Sequence, residues 1–122
     1  MNANQMKERT KCFSIAILDL VEKLPNSISG KIIANQVVRS GTSVGANYRA
    51  ACRARSDREF LAKMNIVLEE SDETQFWLEL IEAKKWIDKG DIIQLSVEAN
   101  QLTSIFVSSI KTVNSRLGQS KI

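Results

Sequence analysis

Arg49, Arg53, Arg55, Arg58 and Lys63 form a dense run of cations near the middle of the chain. Arg49 and Arg53 are four residues apart, so on a helix they share one face. Arg55 and Arg58 fall at a predicted turn, and Lys63 follows about one turn into the next helix. Arg39 lies further back on the same predicted helix as Arg49. Guanidinium forks suit phosphate oxygens. Several together give salt-sensitive binding that follows the nucleic-acid backbone. The alternative is a solvated basic face, or ion pairs with Glu69, Glu70, Asp72 and Glu73 of a neighbouring subunit. No RNA-recognition signature or stacking platform is visible, and aromatics make up 6% of the chain. Any such binding reads backbone and shape rather than bases.

The acidic run at residues 69–73 invites a metal reading, because Glu70 and Glu73 have i, i+3 spacing. Carboxylate-bridged helical bundles complete such sites with Glu-x-x-His motifs, and this chain has no histidine. A magnesium or calcium site also lacks its loop geometry. The better expectation is a subunit interface formed by Glu69, Glu70 and Glu73 with Phe76 and Trp77. Tryptophan is enriched at such contacts. Trp86 can serve there too, or widen the core face. Without histidine the chain lacks the commonest general base and transition-metal ligand. Gly41 and Gly45 lie within a predicted helix and lack the lysine of a phosphate-binding loop. The expectation is a protein that is not an enzyme and takes no cofactor or metal.

Four helices must carry these residues. The first spans about residues 5–24, with Phe13, Ile17, Leu20 and Leu24 at helical spacing and Ile15, Leu18 and Val21 widening the face. The run at 25–27, Pro-Asn-Ser, ends it. The second starts at Ser27 or Ser29 as N-cap. It continues through Ile33, Val37, Val44, Tyr48 and Ala51, with Tyr48 read as core. Small residues at 40–46 predict a kink or a close helix approach there. Asn47 and the hydroxyls at 40–43 are read as backbone hydrogen-bonding groups. The third opens with a Ser56/Glu59 capping box. Its stripe is Leu61, Met64, Leu68, Ser71, Gln75 and Leu78, flanked by Phe60, Val67, Thr74 and Ile81. It is predicted to reach Lys89 and stop at Gly90. The fourth opens with Asp91 as N-cap and repeats Ile92, Leu95, Ala99, Leu102, Phe106, Ile110, Val113 and Leu117, ending at Gly118. Short connections predict antiparallel neighbours.

At 122 residues the chain is expected to be one domain, residues 1–122, with a real core. The polar N-terminus lacks a signal-peptide core, and no apolar run approaches the roughly 20 residues of a membrane span. A cytoplasmic protein is expected. Cys12 and Cys52 belong to no CxxC pair and are read as small core residues. The net charge of +3 hides an asymmetry. Residues 1–67 carry 11 cations and 5 anions, residues 68–100 carry 3 and 9, and residues 101–122 carry 3 cations alone. Such a division suits a nucleic-acid contact or head-to-tail self-association.

The run RSGTSVGANYRAACRARS (residues 39–56) and the run EFLAKMNIVLEESDETQFWLELI (residues 59–81) resemble the four-helix-bundle family whose genes lie in intervening sequences of bacterial 23S rRNA genes. The resemblance covers nearly the whole chain. Many members carry Ser-Ile-Pro-Ser-Asn where this chain has Ser43-Val44-Gly45-Ala46-Asn47, so Gly45 stands in place of the proline. The basic run at 53–56 also matches. The resemblance implies small antiparallel bundles assembled into rings, with five copies expected. It further implies kinship with the accessory proteins of diversity-generating retroelements, which form a basic barrel binding nucleic acid and a reverse transcriptase. It implies no enzyme activity.

The expected architecture is therefore an all-α, antiparallel up-down-up-down four-helix bundle forming a homo-oligomeric ring. Its expected role is a non-catalytic accessory protein that contacts RNA or DNA through the second helix and the following turn. The alternative is a protein–protein scaffold in which basic and acidic faces pair between subunits.

Overall fold

The computed structural model describes residues 1–120. Among them are four helices and no strand: α1 (Ala3–Val21), α2 (Ile28–Cys52), α3 (Asp57–Lys84) and α4 (Lys89–Ser120). The first three helices start where a side chain satisfies an orphan amide. Asn2 and Gln5 form a full capping box on α1, two residues before the predicted start. Ser27, one of the two predicted caps, accepts from Gly30 N–H on α2. Ser56 Oγ accepts from the amide of Glu59 at 3.1 Å. Glu59 does not close the predicted box. Its carboxylate lies 3.5 Å from the Arg55 amide instead, because the chain enters α3 through a turn that presents that N–H.

The helices pair in the order α1–α2–α3–α4 around one core, with α1 returning to α4. Every neighbour runs antiparallel. Thr10 meets Gly45 while Ile17 meets Gly41, Ser40 meets Thr74, Ser71 meets Thr103, and Arg9 meets Glu98 while Lys23 meets Asp91. The α4 repeat is read correctly: Ile92, Leu95, Ala99, Leu102, Phe106 and Val113 are buried. Thr10, Ser40, Ser71 and Thr74 are buried too. The Ser40, Ser71 and Thr74 hydroxyls are matched across helices, with Thr74 Oγ1 2.8 Å from Ser40 Oγ and Ser71 Oγ 2.6 Å from Thr103 Oγ1, while Thr10 Oγ1 donates to the Lys7 carbonyl of its own helix. No buried side-chain polar atom is unpaired among the described residues. Such matching is what makes polar groups tolerable in a core.

Residues 40–46 stay within continuous α-helix, and the small-residue stretch serves close approach. A Cβ built on Gly41 would stand 2.9 Å from Ile17 Cγ1. Thr42 Oγ1 donates to the Val38 carbonyl and Asn47 Nδ2 to the Ser43 carbonyl, so this polar group does bond its own helix.

Several expectations change. α1 ends at Val21, since the amides of Lys23 and Leu24 bond three residues back in tighter turns. Ile15 and Leu18 are exposed, because the core stripe of α1 is the narrower Met6, Thr10, Phe13, Ile17, Leu20 series. Cys12 is exposed and Cys52 half-buried. Cys12 sits just off that stripe, at the border with α4. α3 stops at Lys84, with Lys85 in the left-handed region at φ 57°. This early exit lets Ile87 turn into the core and Trp86 pack against it. Gly90 and Asp91 then lie inside the first turn of α4. Gly118 does not end α4, which continues to Ser120.

Candidate nucleic-acid interface

The last two turns of α2 and the turn into α3 carry the cation cluster at one end of the bundle. Arg53 is the C-cap of α2 and its amide bonds back to Ala50 and Ala51. Arg49 sits in the last turn, where a cation faces the negative end of the helix dipole. Arg49, Arg53, Arg55 and Arg58 are exposed, and Lys63 is half-buried. None of these five side chains is in an ion pair among the described residues.

Arg39, ten residues before Arg49, is differently placed. Its guanidinium donates to Glu70 at 2.9 Å and to Glu73. Glu73 also accepts from the indole N–H of Trp77 at 3.0 Å. These bonds, the Trp77 one foremost, hold the Glu73 carboxyl below the usual carboxylate range. The hydrogen bond to Glu73 likewise raises the Arg39 guanidinium. Arg39 and two of the acids assigned to a subunit interface thus pair within one chain. Glu69 remains exposed. Phe76 is 50% exposed, and its ring stands edge-on to Trp77 with centroids 5.1 Å apart. Trp77 is half-buried against the core. Among the described residues no cluster of three or more His, Cys, Asp or Glu side chains could hold a metal.

The tertiary structure adds cations that spacing on α2 and α3 could not assign. Arg116 of α4 lies 3.3 Å from Asp57 in the first turn of α3. This contact sets the C-terminal turns of α4, with exposed Lys111, at the end of the bundle that holds Arg55 and Arg58. The one available signal was the all-cationic charge of residues 101–122. Lys121 lies outside the described residues. The α1–α2 register brings Lys7 toward the same end. Aromatic side chains near this end are enclosed: Tyr48 is half-buried with its ring 6.2 Å from Phe106. Burial, then a hydrogen bond with Cys52, pushes its phenol up. The site can therefore offer charge and donors but little stacking surface.

No helix among the described residues is long and apolar enough to cross a membrane. No curated protein matches the chain. A crystal structure from Bacteroides thetaiotaomicron, described as a protein with unknown function from the S23 ribosomal protein family, is similar. It is 33% identical, with a TM-score of 0.83, over 91% of this chain and 99% of that one. The family model for 23S rRNA-intervening sequence proteins matches residues 2–108. With the four-helix architecture, these matches mean that the chain belongs to the 23S rRNA-intervening sequence protein family.

Proposed function

We propose that this protein is a non-catalytic, homo-oligomeric accessory protein of the cytoplasm that binds RNA or DNA along its phosphate backbone. The observation that carries this reading is the contrast between two sets of arginines. Arg39 is neutralised by Glu70 and Glu73. Arg49, Arg53, Arg55 and Arg58 stand exposed without a carboxylate partner among the described residues. Exposed, unneutralised guanidinium groups at one end of a molecule fit a polyanion. Assembly into a ring, five copies being the expectation from the family resemblance, would multiply weak contacts into avidity. A reverse transcriptase or another protein is a candidate further partner on the same ground.

A scaffold without a nucleic-acid role is the second reading. The exposed Phe76 beside Trp77 favours it, since aromatic anchors of that kind suit a protein partner. Titrating labelled structured RNA and DNA across a salt series, with mass read by light scattering, separates the two. The first reading expects tight binding that weakens steeply with salt. It also expects the paired reversals Arg53→Glu and Arg55→Glu to abolish binding while leaving the oligomer intact. Loss of the oligomer in that variant, or no binding at low salt, overturns it.

A further inference from the structure

Cations reach one end of the bundle from all four helices. The α1–α2 register brings Lys7 there, and α2 adds Arg49 and Arg53. α3 adds Arg58 in its first turns, and α4 adds Lys111 and Arg116. Neighbouring helix axes stand about 8–10 Å apart. The charges are therefore spread over a broad face rather than drawn out along one groove. The α1–α4 cleft lies toward the other end, between residues 12–23 and 91–98, and none of these cations lines it. The two acids in the first turn of α3 are engaged locally. Asp57 pairs with Arg116 at 3.3 Å, and the Glu59 carboxylate lies 3.5 Å from the Arg55 amide.

The aromatic side chains are placed elsewhere. Phe13 and Phe106 are core residues. Tyr48, Phe60, Trp77 and Trp86 are half-buried and pack against that core. Phe76 is the one large exposed aromatic among the described residues. It lies 18 residues after Arg58 on α3, a distance of about 27 Å along the helix at 1.5 Å per residue. Proteins that hold single strands combine a basic groove with aromatic rings on which successive bases stack. This end of the bundle supplies the charge without the rings.

We propose that the cation face selects a double helix, of RNA or DNA, over a single strand. A duplex carries twice the charge of one strand per unit length. Its phosphates lie in two rows, with grooves of about 6 and 12 Å between them in B-form DNA. Cations one helix width apart can meet both rows at once. A single strand offers one row, and its unstacked bases find no ring here to rest on. Counterion release adds to the difference, since each phosphate contact contributes about 0.9 to the salt slope on a duplex and about 0.7 on a single strand. For about six contacts and a common affinity at 1 M salt, this alone favours the duplex about tenfold at 0.1 M. The proposal rests on the nucleic-acid reading given above and names the form of nucleic acid that the same surface takes.

Fluorescence anisotropy on the full chain tests it with four labelled probes: a DNA duplex, an RNA duplex, and an unstructured single strand of each at the same length. Both duplexes are expected to bind about tenfold or more tightly than their single strands at 0.1 M salt, with the steeper salt slope. Preference for only one of the two duplexes identifies the source and still supports the selection of a double helix. Phe60→Leu, in the first turn of α3, is expected to leave all four affinities unchanged once circular dichroism confirms its fold. Single strands bound as tightly as duplexes overturn the selection but leave the phosphate-backbone reading standing. So does a loss of single-strand affinity alone in Phe60→Leu, which would reveal a stacking surface. Binding of none of the four probes overturns both.

Discussion

Gly41 lies directly beneath Ile17: a Cβ on the glycine would stand 2.9 Å from Ile17 Cγ1 and 3.1 Å from its Cγ2. Ile17 is fully buried and β-branched, so it has little freedom to move aside. This contact sets how near α1 can come to α2. Gly41→Ala is expected to destabilise the fold by about 1–3 kcal/mol, the usual range for overpacking. Gly90→Ala is the control. Gly90 is exposed in the first turn of α4 and has nothing within 4 Å of a built Cβ. It should stabilise by about 0.5–1 kcal/mol through helix propensity. Urea denaturation of the pair measures both, and opposite signs are the expected result.

Lys85 closes α3 in the left-handed region at φ 57°, ψ 34°. A non-glycine residue there carries about 1–2 kcal/mol of steric cost. Lys85→Gly removes it and adds roughly 0.5–1 kcal/mol of chain entropy to the unfolded state. The expected net effect is a gain of up to about 1 kcal/mol, read as a higher midpoint of thermal unfolding. An unchanged or lower midpoint would count against a strained cap.

Glu73 links Trp77 to Arg39, and its carboxyl sits below the ordinary range. A depressed carboxylate stabilises the folded state above its unfolded pKa, and this stability is lost as pH falls through the folded value. Glu73→Gln should therefore lower the unfolding midpoint above about pH 5. The gap to wild type should narrow as the medium becomes more acid. A gap constant from neutral pH to strongly acid conditions would mean that the charge contributes nothing.

Lys111 is exposed on the C-terminal half of α4, and the Arg116–Asp57 pair sets that half beside the α2–α3 turn. If the phosphate-binding surface includes this end of α4, Lys111→Gln weakens binding to duplex DNA and flattens its salt dependence. The expected loss is about 0.9 in the slope of log K against log salt for one phosphate contact. Lys31→Gln, on the opposite end of α2, should leave the slope as it is.

The helices themselves were legible because their signals are local. The series Ile92, Leu95, Ala99, Leu102, Phe106 marks one face of α4 by its period alone, and those residues are buried. Ser27 and Ser56 announce helix starts because a hydroxyl can reach the amides three residues on. The arginine cluster was legible for the same reason, since a helix and a short turn hold its members together. Local pattern was less informative at the end of α3. There Gly90 looked like the natural stop, but Ile87 had to reach the core and Lys85 took the strained conformation instead.

The sequence alone thus determined the number of helices, the buried face of α4 and the concentration of cations around residues 49–63. The tertiary structure decided which charges meet. Arg39 and Glu73 are 34 residues apart and pair only because α2 and α3 pack antiparallel in one register. The same registers bring Lys111 to the arginine end and leave α1 and α4 separated by a cleft. Periodicity fixes which face of a helix is apolar. The distance and register between two helices come from side-chain packing across their interface, such as Ile17 seated on Gly41, and that relation is not written in either helix by itself.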